Sequence, residues 1–253
     1  MKITILQTDI RWADPTWNVN RADEIVRRHE GTELFVLPEM FSTGFCTRPQ
    51  GIAEPAGGKG LEWMRRTADE CGCAIAGSIA VEEEGRYYNR FFFVKPGGQI
   101  EWYDKKHLFT YGGEHYIYTP GSRRTVVEWC GVRFLLQVCY DLRFPVWSRN
   151  RGDYDVALYV ASWPTPRVEA WKALLRARAI ENQCYVVAVN RVGEDPFCQY
   201  SGGSAVINPY GKTLAACEDG CACEAEAVID METLEDFRRK FPVLNDADSF
   251  RLE

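Results

Sequence analysis

The chain has 253 residues, a formal net charge of -6, 46% hydrophobic residues and 26% charged residues. These proportions are those of an ordinary globular protein, and the length suits one α/β domain spanning residues 1–253. The negative charge argues against nucleic acid as a partner, because nucleic-acid-binding surfaces depend on dense patches of Lys and Arg. No apolar run reaches the roughly 18 to 20 residues that span a bilayer, and no secretion signal is visible. A cytoplasmic protein without membrane contact is therefore expected.

The chain contains ten cysteines, which in a small secreted protein would suggest a disulfide framework. This chain is neither small nor led by a signal segment, so reduced thiols are expected. Cys217, Cys221 and Cys223 form a cluster, but no fourth ligand follows at the spacing of a zinc site, and all three His residues lie far upstream. The sequence predicts neither a metal nor a cofactor.

Hydrophobic periodicity in the first part of the chain alternates between strand and helix. It predicts strands at 2–9, 34–37 and 73–81, with helices at 18–30 and 58–71 between them. Residues 86–95 and 99–105 then read as a hairpin around Lys95-Pro96-Gly97-Gly98, which has the chemistry of a turn. Parallel β-α-β units are thus followed by antiparallel pairing.

The second part of the chain is rich in short strands, predicted at 125–129, 133–138, 156–161, 185–190 and 204–207. One strong helix is predicted over 167–182, beginning just after Pro166. Many strands, few helices and mixed connectivity favour two sheets packed face to face with helices outside.

Glu39 follows an apolar strand directly and has apolar neighbours that would remove water from it. Burial favours the neutral form of a carboxyl group, which lets such a group exchange protons near neutral pH. Taken alone, however, a Glu after a strand is more often a helix cap or part of a salt bridge at the protein rim.

Lys105 and Lys106 close the second strand of the hairpin, and strand alternation places them on opposite faces. One of the two lysines can therefore point inward. A buried lysine is costly unless a carboxylate pairs with it. Glu114 is near enough in sequence to supply that pairing along with Glu39.

Cys139 ends an apolar strand at a sharp turn, with a short helix expected near Pro145. A thiol at such a junction is accessible to a ligand, with free backbone N–H groups beside it. A cysteine at the end of a buried strand is, however, often a small apolar residue of the core.

These three segments together resemble the nitrilase, or carbon–nitrogen hydrolase, superfamily over nearly the whole chain. In that superfamily a Glu follows an apolar residue and Pro, a Lys lies in Tyr-x-Lys-x-His-Leu, and a Cys lies in Cys-Tyr-Asp-x-Arg-Phe. The resemblance assigns these positions to Glu39, Lys105 and Cys139, and it selects Lys105 over Lys106. It also matches Glu114 to a further glutamate beside the lysine. It implies an α/β fold, a four-layer α-β-β-α sandwich of two mixed sheets flanked by helices, and a homodimer.

The segments 143–150 and 161–164 most resemble the omega-amidase branch, whose members release ammonia from 2-oxoglutaramate or 2-oxosuccinamate and leave the 2-oxo dicarboxylate. Trp163 and an arginine, Arg143 or a neighbour, would then shape a pocket for a small acid. Ser162 departs from this branch, which often carries Asn there. Two alternatives are an N-carbamoyl amine amidohydrolase of the same superfamily and a non-catalytic scaffold with the same fold.

The residue types also suit the chemistry of amide hydrolysis. A thiolate is a strong nucleophile at neutral pH, and Lys105 is expected to lower the pKa of the Cys139 thiol. Lys105 and the Tyr140 backbone N–H would stabilise the oxyanion. Glu39 would move the protons, and Glu114 would hold Lys105 in place.

Overall fold

The structure, a computed structural model, describes residues 1–251 of the chain. The helices are α1 (Pro15–Val26), α2 (Lys59–Cys71), α3 (Pro145–Ser148), α4 (Val168–Glu181) and α5 (Met231–Lys240). The strands are β1 (Lys2–Gln7), β2 (Leu34–Val36), β3 (Glu54–Pro55), β4 (Ala74–Glu83), β5 (Arg86–Val94), β6 (Ile100–Asp104), β7 (Val126–Trp129), β8 (Val132–Val138), β9 (Val156–Ala161), β10 (Tyr185–Asn190), β11 (Val192–Glu194), β12 (Gln199–Ser201), β13 (Ala205–Ile207), β14 (Thr213–Ala216) and β15 (Cys223–Val228).

The strands form two large mixed sheets and one small hairpin. The first sheet has the order β15-β1-β2-β4-β5-β6, with β3 also paired to β4, and the second has the order β14-β13-β10-β9-β8-β7. In the first sheet β1, β2 and β4 are parallel, and in the second β8, β9 and β10 are parallel. The remaining pairs of the two sheets are antiparallel except β3 with β4, and β11 and β12 form a separate antiparallel hairpin.

Because successive side chains of a strand point to opposite faces of the sheet, the apolar residues form three layers, one between the two sheets and one on the outer face of each. The inward side chains of both sheets form a shared central core, in which the Phe93 and Phe134 rings lie 5.5 Å apart. The outer face of the first sheet packs against α1 and α2 through residues such as Met64. The outer face of the second sheet packs against α4 through Trp171 and Leu175. The predicted α-β-β-α sandwich of two mixed sheets is confirmed.

Local sequence signals explain where the helices begin and end. Helix α1 begins at Pro15 and not at residue 18, because the Asp14 side chain caps it by accepting a hydrogen bond of 3.0 Å from the Trp17 N–H. Helix α2 ends at Cys71 and is capped by Gly72, whose φ of 63° is in the left-handed region that glycine adopts without strain. Among residues 1–251, none of the helices is both long and apolar enough to cross a bilayer.

Candidate active site

The predicted site residues lie where strands of both sheets end, at one edge of the sandwich. Glu39 lies three residues after β2, Lys105 directly follows β6, and Cys139 directly follows β8. Strand β6 is antiparallel to β5, which is antiparallel to β4, so β6 runs in the same direction as β4 and β2. The carboxyl ends of these strands therefore meet at one edge, which is the place where α/β sheets build sites.

A buried lysine bridges two buried carboxylates at this edge. Lys105 Nζ lies 3.0 Å from Glu39 Oε1 and 2.9 Å from Glu114 Oε2, and all three side chains are inaccessible to solvent. The Phe109 backbone N–H donates to the same oxygen of Glu114 at 2.6 Å. Lys105 is thus the inward lysine of the adjacent pair, and Glu114 is the second carboxylate that holds it.

Asn89 and Ser162 fix the orientation of the Glu39 carboxylate. The Asn89 side-chain amide donates to Glu39 Oε1 at 2.7 Å and to Glu114 Oε1 at 3.2 Å. The Ser162 backbone N–H donates to Glu39 Oε2 at 2.7 Å. Because this hydrogen bond is made by the Ser162 backbone, the departure from Asn at this position leaves it intact, and the Ser162 hydroxyl also donates to the Glu39 carbonyl at 3.3 Å.

Cys139 occupies a turn of unusual backbone geometry between β8 and the helical turn over residues 139–143. Its φ is 46°, a region that few residues other than glycine adopt, and its side chain is half-buried. Positive φ values in such residues occur where the surrounding structure requires them, often at functional sites. Tyr140 lies at the start of this helical turn, where backbone N–H groups have no acceptor within the turn itself.

Asp141 connects the loop that carries Lys105 to the loop that carries Cys139. Asp141 Oδ1 accepts hydrogen bonds from the backbone N–H of His107 at 3.0 Å and contacts the His107 ring nitrogen Nδ1 at 2.7 Å. Its Oδ2 accepts from the Tyr103 hydroxyl at 2.9 Å and from the Val138 N–H at 3.0 Å. A single buried carboxylate therefore sets the separation of the two strand ends.

Burial and charge together determine the protonation of the site. Burial alone would lower the pKa of Lys105, but the carboxylates of Glu114 and Glu39 outweigh it and raise that pKa, so the ammonium form persists. Burial raises the pKa of Glu114, and Glu39 adds to the rise while Lys105 opposes it.

The pKa of the Cys139 thiol is raised well above its ordinary value of 9.0, first by burial and then by the negative charge of Glu39. Lys105 acts in the opposite direction but does not prevail. The expected effect of Lys105 on the thiol pKa is therefore present, but burial and Glu39 outweigh it, so the net shift in the unliganded protein is upward. The thiol keeps its proton at neutral pH, and a neighbouring base must remove it.

This electrostatic arrangement predicts how the reactivity of Cys139 responds to the loss of the Glu39 charge. Glu39→Gln is expected to lower the thiol pKa, so alkylation by iodoacetamide should begin at lower pH than in the parent protein. Peptide mass spectrometry of Cys139 across a pH series measures this. Glu24→Gln, at an exposed position of α1, is the control. An alkylation profile that is unmoved, or that moves to higher pH, would contradict the assignment of charges.

A pocket opens over this cluster and contains the other predicted residues. It has roughly 450 Å³ of empty space, including its mouth. Tyr140, Arg143 and Trp163 line it, and the Arg143 guanidinium lies 4.9 Å from the centre of the Trp163 ring. Ser162 and Lys105 also reach the pocket. The further lining residues, absent from the sequence prediction, are Phe45, Phe109, Pro164, Arg167, Cys198 and Tyr200.

The cysteine cluster late in the chain lies outside this pocket, around the connection of β14 to β15. Cys217 is buried at the end of β14, and its sulfur lies 3.5 Å from the backbone oxygen of Cys223. Within residues 1–251, no group of three or more His, Cys, Asp and Glu side chains has the arrangement of a metal site. All ten cysteines are present as free thiols.

Comparison with known proteins places this geometry in a family. The profile described as carbon-nitrogen hydrolase matches residues 2–239. Omega-amidase YafV of Escherichia coli K12 is 47% identical over 100% of this chain and 98% of its own length, and the 2-oxoglutaramate amidase of Bacillus subtilis is 36% identical over 96% of each. The crystal structure of a CN-hydrolase superfamily protein from Xanthomonas campestris, with an arsenic adduct in its active site, superposes with a TM-score of 0.97 at 41% identity, covering 100% of this chain and 99% of that one. The chain belongs to the carbon–nitrogen hydrolase family.

Proposed function

We propose that this protein is an omega-amidase, which hydrolyses the terminal amide of 2-oxo dicarboxylic acid monoamides such as 2-oxoglutaramate and 2-oxosuccinamate. The products are the 2-oxo dicarboxylate and ammonia. The observation that carries the proposal is the position of the Cys139 thiol beside a buried Glu39–Lys105–Glu114 cluster, at the base of a pocket that contains arginines and no carboxylate among its lining residues. Relatives named omega-amidase and 2-oxoglutaramate amidase match nearly the full chain, which supports the same substrate class.

The first half of the proposed reaction forms a thioester. Glu39 takes the proton from the Cys139 thiol, and the thiolate attacks the amide carbonyl carbon. The carbonyl oxygen becomes an oxyanion that accepts hydrogen bonds from the Lys105 ammonium and the Tyr140 N–H. Glu39 then gives its proton to the amide nitrogen, the C–N bond breaks, and ammonia leaves.

The second half returns the enzyme to its starting state. Glu39 takes a proton from water, and the resulting hydroxide attacks the thioester carbonyl carbon. The C–S bond breaks, the carboxylic acid product leaves, and the Cys139 thiolate recovers its proton from Glu39. Lys105 stays protonated throughout, because the two carboxylates raise its pKa. Asn89 and the Ser162 N–H hold the Glu39 carboxylate in one orientation in both halves.

Trp163 and Arg143 are assigned to substrate binding. Trp163 is held by its own hydrogen bonds, since its backbone N–H donates to Asn190 Oδ1 at 2.7 Å and its ring N–H donates to the Arg167 carbonyl at 2.7 Å. A fixed indole provides a flat apolar wall for the short carbon chain between the two ends of the substrate. The Arg143 guanidinium over this ring contributes positive charge at the pocket.

A small substrate panel tests the proposal. The protein is expected to release ammonia from 2-oxoglutaramate and 2-oxosuccinamate with a kcat/KM at least about tenfold above that for N-carbamoylputrescine, since the positively charged pocket repels a cationic amine. Coupled measurement of ammonia gives the initial rates. A preference for N-carbamoylputrescine would instead identify an N-carbamoyl amine amidohydrolase, and turnover of no amide at all would favour the non-catalytic scaffold.

The proposal extends to location and assembly. We propose a cytoplasmic homodimer in which residues 1–253 act as one catalytic domain. Ile180 of α4 and Tyr210 and Phe241 nearby in the fold are exposed apolar side chains of the kind that subunit interfaces cover. Mass photometry or analytical ultracentrifugation determines the assembly state.

A further inference from the structure

Among residues 1–251, two arginines of the pocket, Arg143 and Arg167, form no ion pair with a carboxylate. The third cation of the pocket, Lys105, is neutralised by Glu39 and Glu114. Within residues 1–251, every ion pair between an arginine and a carboxylate involves an arginine other than Arg143 and Arg167. No carboxylate side chain of that range lines the pocket. Arg143 and Arg167 therefore give the pocket a positive charge, although the chain as a whole carries -6. This charge suits an anionic ligand.

Arg167 has a backbone that is fixed by hydrogen bonds. It ends the helical turn over Thr165–Arg167, where its N–H donates to the Pro164 carbonyl at 3.0 Å and its carbonyl accepts from the Trp163 ring N–H at 2.7 Å. The Thr165 hydroxyl donates to the Gln199 carbonyl at 3.1 Å and ties this turn to β12. The backbone that carries the Arg167 side chain is therefore fixed from both sides.

The Arg167 guanidinium is also partly removed from water. The residue is half-buried, and its guanidinium carbon lies 5.4 Å from the centre of the Phe109 ring. Its charge reaches the Cys198 thiol on the same pocket, where it opposes the rise in the Cys198 pKa that burial and Asp195 cause. Arg143, by contrast, is an exposed residue, so water and salt screen its charge more strongly.

We propose that Arg167, and not Arg143, is the principal residue that binds the substrate carboxylate, and that it selects amides carrying a carboxylate over uncharged amides. The planar guanidinium presents paired N–H donors that match the two oxygens of a carboxylate. The guanidinium lies over the Phe109 ring, and the Trp163 ring N–H holds the Arg167 carbonyl at the wall of the pocket. This inference rests on the proposed amidase function, because it names the group that recognises the acid end of that substrate.

Kinetics on two substrates of similar length test the proposal. Arg167→Gln is expected to lower the ratio of kcat/KM for 2-oxoglutaramate to that for pentanamide by roughly 10- to 100-fold, chiefly through KM, because a charged hydrogen-bonded pair is lost. Arg167→Lys should lose less, since it keeps the charge but not the paired donors. Arg143→Gln should lower the ratio by less than Arg167→Gln, and Arg66→Gln, at an exposed position of α2, is the charge-matched control. Equal losses on both substrates, or a larger effect from Arg143→Gln, would overturn the proposal.

A binding measurement separates this proposal from the proposed function. In the parent protein 2-oxoglutarate, a carboxylate product, is expected to slow alkylation of Cys139 by iodoacetamide, and Arg167→Gln should raise the concentration needed at least about tenfold. This readout needs no turnover. If the protein hydrolyses neither amide but the protection still depends on Arg167, the proposed function fails and the binding role of Arg167 stands. If 2-oxoglutarate gives no protection, or protects the variant equally well, the assignment of Arg167 is wrong.

Discussion

Replacing Cys139 with Ala is expected to lower ammonia release from 2-oxoglutaramate by on the order of 10⁴-fold or more, because the covalent route through a thioester is lost. The Lys105 and Glu39 groups that remain in Cys139→Ala lack a nucleophile to activate. The substitution removes one sulfur from a half-buried side chain, so the protein should keep its fold and its circular dichroism spectrum. A matched control is Cys198→Ala, which removes the other thiol that lines the pocket.

The covalent intermediate gives this prediction a second readout. Rapid acid quench of the parent protein with 2-oxoglutaramate should yield an intact mass increased by the acyl group, and peptide mapping should place that increase on Cys139. Cys198→Ala should still form the adduct, whereas Cys139→Ala should not. Appreciable ammonia release by Cys139→Ala, or an adduct on another thiol, would refute the assignment of the nucleophile.

The sequence predicted the layers of the fold better than its edges. Strands such as β9 and β10 were predicted with their bounds, because continuous apolar runs mark strands buried on both faces. Strand β15 was not predicted, since Cys223-Glu224-Ala225-Glu226-Ala227 places charged and small side chains on an exposed edge. Its partner is β1, and the two are more than two hundred residues apart along the chain. Pairing of that kind leaves no local pattern.

Some residues of the site were predicted from sequence patterns and others were not. Glu39, Lys105 and Cys139 were predicted because each ends an apolar strand and matches a family motif. Asn89 was not predicted because it lies inside β5 among aromatic residues. Its side-chain amide donates hydrogen bonds to two carboxylates only because β5 packs beside Glu39 in the folded protein. The position of Arg167 on the pocket was not predicted, because a charged residue at the start of a helix is ordinarily exposed to solvent.

The raised pKa of the Cys139 thiol could not be obtained from residue types alone. The sequence places a lysine and a glutamate near the thiol, and these two act on its pKa in opposite directions. The balance depends on burial, which follows from how the two sheets close over the site. Sequence motifs therefore predict which residues come together at the site, whereas the direction in which the thiol pKa moves can be obtained only from the packed structure.

Replacing Lys105 with Met is expected to abolish activity and also to destabilise the protein by about 3–5 kcal/mol, because removing one partner of a buried ion pair leaves an uncompensated charge. Lys105→Met would leave two buried carboxylates without their partner, since Glu39 and Glu114 both contact the lysine and neither side chain reaches solvent. Lys106→Met is the matched control, because that neighbouring lysine is half-buried, its Nζ lies 5.6 Å from the centre of the Trp147 ring, and it forms no ion pair with a carboxylate of residues 1–251.

The stability deficit of Lys105→Met should also depend on pH, and the sign follows from proton linkage. Without the ammonium, burial and mutual repulsion raise the folded-state pKa of the carboxyl pair further, in the direction already present for Glu114. At pH values between the unfolded-state pKa and the higher folded-state pKa of these carboxyl groups, the folded variant binds more protons than the unfolded chain. The stability of the variant therefore rises as pH falls through this range. Urea unfolding of the parent, Lys105→Met and Lys106→Met at pH 8 and pH 5 measures this. The deficit of Lys105→Met should shrink at pH 5, and a deficit that grows on acidification would show that the lysine does not neutralise the two carboxylates.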